Sequence, residues 1–265
     1  MAPDPRERAL TPEPELDRAA WIASIRSESQ ALAQAAAKAG FDAPVPTCPE
    51  WQVRDLVRHL GGVHRWAAAH VAGGRAEEMP KEEAAGLMAS YPADRYLLEW
   101  FELGQRNLCQ VLGDAPADLQ CWSFLPSPSP LAFWARRQAH ETEIHRADAE
   151  FAARSGAVSF PEAIAADGIE EMLFGFAAGR RHLKLPAPLQ IALRPREQPD
   201  GWLVQLGPDG ILAERGQADA DCRISGTCSQ IFLWLWNRLP STSLEVDGNR
   251  ESLESWRRAM RVSWS

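Results

Sequence analysis

From about Leu16 to Ala39 the apolar positions Trp21, Ile25, Leu32, Ala35 and Ala36 recur at helical spacing and stop at Gly40, which predicts a first amphipathic helix. The prolines of Val45-Pro46-Thr47-Cys48-Pro49-Glu50-Trp51 force a turn, and Thr47 with Glu50 has capping-box spacing. A second helix is expected from about Val53 to Ala72. A third runs from Asp94 to Leu112 with Leu97, Leu98, Phe101, Leu108 and Val111 inward, and a fourth from about Leu131 to Ser155. Between them, Gly73 to Pro92 reads as a polar connection with a short helical piece. Gly113 to Pro130, rich in proline and serine, is a loop long enough to suggest function.

After a fifth helix, Pro161 to about Ala178, the texture changes. Short apolar runs at Leu189 to Leu193, Trp202 to Leu206, Ile211 to Ala213 and Cys222 to Ile224 are separated by Pro199-Asp200-Gly201, Pro208-Asp209-Gly210 and Asp219-Ala220-Asp221. A helix over Ser229 to Asn237, a strand over Leu244 to Val246 and a closing helix over Arg250 to Met260 complete the pattern. The fold expected is α+β: a flexible arm at residues 1–15, a helical bundle at 16–185 and a small α+β domain at 186–265.

The net charge of -8 and the absence of a basic stripe argue against a nucleic-acid partner. The apolar runs are too short and too interrupted for a membrane span, and no signal-peptide layout opens the sequence, so a cytoplasmic location is expected. Five cysteines without C-x-x-C spacing signal neither a disulfide framework nor a cysteine zinc site. The eleven tryptophans read first as core packing, with some available to wall a pocket.

The densest chemistry lies in Arg136 to Glu150. Helix geometry puts Glu141, His145 and Asp148 on one face. An imidazole and a carboxylate one turn apart suit a first-row metal, although a charge-rich solvated face would look the same. The neighbouring His140-Glu141 is not a zinc-protease signature, because that motif needs its second histidine at 144, which is Ile144. His140 and His145 are instead about 140° apart around the axis at ~100° per residue. His140 falls with Ile144, Ala147 and Phe151, as a hydrogen-bonded histidine near the core would. His59, among Leu56, Val57, Leu60 and Val63, points to the interior or to a cavity, while His64 and His70 are expected at the surface. Gly61-Gly62 allows close approach of a neighbour. Metal sites in bundles are built across facing helices, and His59 with Glu141 and His145 fits that scheme.

Several of these stretches resemble the mycothiol-dependent maleylpyruvate isomerase family. They are Val45 to Trp51, Val53-Arg54-Asp55-Leu56, His59-Leu60-Gly61, Arg136 to Glu141 with His145 and Asp148, and, further on, Asp219-Ala220-Asp221, Ser225-Gly226-Thr227 and Leu235-Trp236-Asn237-Arg238. The resemblance implies a DinB-like four-helix bundle joined to a sterol-carrier-like α+β domain. It implies a divalent metal, usually zinc, on His59, Glu141 and His145, with Asp148 as a site acid and Arg238 as the second-domain arginine that reaches the site. Gln52 departs from the family pattern, where Ser or Thr often caps the helix.

Three protein ligands leave a position at which a small thiol, mycothiol in this family, binds as thiolate without using a protein cysteine. Asp148 or His140 could then hold a ligand or move a proton. The partners expected are that thiol and a small-molecule electrophile. Thiol addition or S-transfer is the favoured outcome and maleylpyruvate cis–trans isomerisation the alternative. A hydrolase using metal-bound water, and a non-catalytic metal- or ligand-binding protein, are further readings.

Overall fold

The computed structural model describes residues 16–178, 180 and 188–260. The proposed arm at 1–15 and the proposed boundary near Pro186 lie outside the described residues. The first helix, α1 (Arg18–Ala39), starts where the Asp17 carboxylate accepts from the Ala20 N–H at 2.8 Å. It packs along α5 (Pro130–Ala152) and against α4 (Leu97–Asp114), while α2 (Val53–Gly73) crosses both α4 and α5. The short α3 (Lys81–Met88) lies against α2 within the connection that was expected to hold a helical piece. Gly61 and Gly62 provide the expected close approach: a Cβ on Gly61 would fall 2.1 Å from the Trp100 ring, and one on Gly62 2.9 Å from the Met88 backbone.

The central helix is α5, capped by Ser129 with Pro130 in its first turn. Five of its charged residues, Arg137, Glu141, Glu143, Arg146 and Asp148, are buried, and Arg136 and Glu150 are partly so, which removes the solvated-face reading of this stretch. Such charges persist inside a bundle only when paired, and each has an ionic or hydrogen-bonded partner.

Next come α6 (Glu162–Glu170), a π-helical turn at Glu171–Ala177, and five strands: β1 (Leu189–Pro195), β2 (Gly201–Gly207), β3 (Gly210–Gly216), β4 (Cys222–Gly226) and β5 (Glu245–Gly248). The sheet order is β3-β2-β1-β4-β5, with β1 parallel to β4 and the other neighbours antiparallel. Ile191, Leu193, Trp202, Val204 and Ile224 share one core with Ile164, Ile169 and Met172 of the α6 region. They also pack with Phe232 and Trp234 of α7 (Cys228–Leu235) and Trp256 of α8 (Glu251–Ala259). Each fully buried side chain of this size contributes about 1.5–3 kcal/mol.

Two features seat this unit on the bundle. Gly168 lets α6 pass close to the Phe232 ring and to His140 Nδ1, 2.5 Å and 3.1 Å from where a Cβ would stand. At the end of α7, the Asn237 N–H bonds Trp234 O and the Arg238 N–H bonds Leu233 O, a Schellman closure with Asn237 at φ 60°. That turn aims Arg238 back at α5. Among the described residues no helix is long and apolar enough to cross a membrane.

Three expectations need correction. Thr47 does not cap α2, because its hydroxyl bonds Asp148; Asp55 caps instead, accepting from the Gln52 N–H at 3.0 Å. His64 and His70 are not at the surface, since α4, α5 and the loop around Trp122 cover those faces of α2. His64 Nε2 lies 3.0 Å from the Thr142 hydroxyl. His70 accepts from the Met79 N–H and donates from Nδ1 to Trp66 O.

Candidate metal centre

Three side chains converge between α2 and α5. His59 Nε2 lies 3.4 Å, and His145 Nε2 3.2 Å, from Glu141 Oε1. The ligand atoms of His59, Glu141 and His145 all lie within 4.8 Å of one another. Two donors each ~2.0–2.1 Å from a tetrahedral zinc stand roughly 3.3 Å apart, so the spacing suits a shared ion. Two neutral imidazoles with one carboxylate are a donor set of catalytic type, with a coordination position left over.

The surroundings fix each candidate ligand. Burial would raise the Glu141 pKa, but His145, His59 and Arg137 hold it well below the usual carboxylate range. Glu141 Oε2 accepts from Arg137 at 2.7 Å, leaving Oε1 to face the histidines. Asp148 Oδ2 accepts from His145 Nδ1 at 2.9 Å, which orients Nε2 toward the centre. Burial depresses the His145 pKa, but Asp148 and Glu141 outweigh it and the net shift is upward. For His59, 15% exposed at its side chain, burial wins and the pKa falls, favouring the neutral ligand form. The Trp51 ring lies against both imidazoles, 4.9 Å from His59 and 5.9 Å from His145 between centroids.

Behind His145, Asp148 gathers three parts of the molecule. It accepts from Arg238 at 2.9 and 3.0 Å and from the Thr47 hydroxyl at 2.5 Å, and the Cys48 sulfur lies 3.7 Å away. Burial would raise the pKa of Asp148, yet Arg238 and His145 keep it ionised far below its ordinary value.

Two family models divide the chain between them: the mycothiol maleylpyruvate isomerase N-terminal domain matches residues 22–150, and the MDMPI C-terminal domain matches 163–255. The chain belongs to the mycothiol-dependent maleylpyruvate isomerase family. Its fold is similar to the crystal structure of the mycothiol-dependent maleylpyruvate isomerase, at TM-score 0.58 and 15% identity over 88% of this chain and 93% of that one. A histidine-to-alanine mutant of the mycothiol-dependent maleylpyruvate isomerase superposes at TM-score 0.59 and 16% identity with the same coverage. No curated protein sequence matches the chain.

In this family member the structure brings together His59, Glu141, His145, Asp148 and Arg238, but not His140. His140 lies fully buried with Nδ1 2.8 Å from Glu143 and Nε2 2.8 Å from Asp167. Burial lowers its pKa, but Glu143, Glu171 and Asp167 raise it further, to about 9. With both nitrogens held there, His140 ties α5 to α6 and faces away from the metal centre. Reasoning from sequence missed Arg137, Thr47 and Trp51 as parts of the site. Arg137 alone left a usable signal, since it stands four residues before Glu141 on one helix face.

Proposed function

We propose that the chain is a mycothiol-dependent isomerase that holds a divalent metal, zinc by its donor set, on His59, Glu141 and His145. The observation that carries this is the convergence of Glu141 Oε1 with the Nε2 atoms of two histidines from separate helices. An ion held by His59, Glu141 and His145 would supply the positive charge that keeps a small thiol as thiolate, the nucleophile an addition–elimination route to cis–trans isomerisation requires.

The chain's own residues prepare that place. Asp148 orients His145, and Arg238 and Thr47 orient Asp148 in turn. Trp51 covers the imidazoles on one side and limits water there. Burial first, then the Asp148 charge, pushes the Cys48 thiol up to about 12 against the pull of Arg238, so the one cysteine beside the centre stays protonated. The nucleophile is thereby left to an external thiol. Isomerisation takes precedence over S-transfer because both domain models belong to the isomerase family.

The test is conversion of maleylpyruvate by the zinc-loaded protein, with and without mycothiol and after chelation. Activity that requires both zinc and mycothiol, with the fold retained on chelation, supports the proposal. Turnover without thiol, or unfolding when the metal is removed, contradicts it.

A further inference from the structure

We infer that Arg137 is a positioning residue that makes Glu141 a one-oxygen metal ligand, by holding its second oxygen out of the coordination sphere. The inference rests on the metal reading above and concerns how many positions the protein itself fills.

A carboxylate can bind a cation through one oxygen or both. In a His-Glu-His set, two-oxygen binding would fill the position a thiol sulfur needs in a four-coordinate site. Here the two oxygens have different partners. Oε1 faces His59 and His145, whereas Oε2 accepts a charge-assisted hydrogen bond from Arg137 at 2.7 Å.

Arg137 is itself immobilised. Its side chain is 2% exposed, its other amino group pairs with Glu171, and its guanidinium lies 5.2 Å from the ring centres of both Phe176 and Trp236. Its planar fork places one amino group on Glu141 and the other on Glu171, so turning away from Glu141 would also break the second pair.

The fold supplies this clamp from two directions. Arg137 and Glu141 share a face of α5, and Glu171 opens the π-helical turn, an element frequent at functional sites. Trp236 stands at the same corner that presents Arg238. Glu171 and Arg137 therefore serve the second oxygen of one ligand, as Arg238 and Asp148 serve the second nitrogen of another.

The test uses cobalt(II) in the full-length protein, because its visible spectrum reports coordination number without any turnover. Wild type should show the intense bands of a four-coordinate site. Arg137→Met/Glu171→Gln, which removes the buried ion pair together, should bind cobalt with bands weakened several-fold as the second Glu141 oxygen joins. An unchanged spectrum in that variant overturns the role of Arg137 alone. Failure of wild type to take up cobalt overturns both this inference and the metal reading.

A crystal structure of metal-loaded wild type decides the point without a substitution. Oε1 should lie about 2.0–2.2 Å from the ion with Oε2 still on Arg137. Both oxygens at bonding distance overturn the inference.

Discussion

Arg238 donates to both oxygens of Asp148, from Nε at 2.9 Å and from its terminal amino group at 3.0 Å, in a pair almost fully withdrawn from water. The arginine comes from the sheet-bearing half and the aspartate from the central helix of the bundle, and Asp148 also holds the imidazole of His145. Docking of the two halves and orientation of the candidate ligand His145 thus share one carboxylate.

Removing one member of a buried pair leaves the other charge without a partner. Arg238→Met should therefore destabilise the protein by about 3–5 kcal/mol. Denaturant melts of the two proteins check this, and a loss below about 1 kcal/mol would show that the pair is not closed in solution.

Asp148→Asn keeps the shape of the side chain but weakens its hold on the His145 N–H. Such partners of metal-bound histidines typically contribute 10–100-fold in affinity, so zinc affinity should fall by about that factor. Competition with a chromophoric chelator measures it, and wild-type affinity in the variant would remove Asp148 from the site.

Cys48, with its thiol pushed up to about 12, should resist iodoacetamide at pH 8 in the folded protein and react after unfolding. Cys48→Ser should retain mycothiol-dependent turnover. Rapid native labelling, or a dead Cys48→Ser protein of normal fold, would point to a protein nucleophile instead.

Asp167 provides the pH test. It accepts from Trp21, His140 and Arg136 and so joins three helices. Burial would raise its pKa, but His140 and Arg136 lower it below the ordinary value of 3.8. A depressed folded-state pKa means that its stabilisation is present above the unfolded value and is lost as pH falls through the folded one. Asp167→Asn should be less stable than wild type at pH 7, and the difference should shrink below about pH 4. A difference that stays constant as the pH falls would show that the charge of Asp167 contributes nothing.

Helical spacing set Glu141 and His145 on one face of a helix and His59 among apolar neighbours on another, and the structure brings these three side chains together, but naming them a ligand set took the family resemblance. Arg238 was reachable only through the family resemblance, since no local pattern shows that a Schellman turn will swing it onto Asp148. Burial was the poorest reading. The charged α5 resembles a solvated helix because its polar groups are satisfied by distant partners such as Glu28 and Glu171, which no local window contains. For the same reason His64 and His70 looked exposed: the residues that cover them come from α4, α5 and the Trp122 loop.

Zinc content measured per chain is the most direct test of the metal centre. After loading and gel filtration, wild type should retain one zinc, while folded His59→Ala and His145→Ala should retain none. A tightly held zinc in either variant would contradict the assignment of the three ligands.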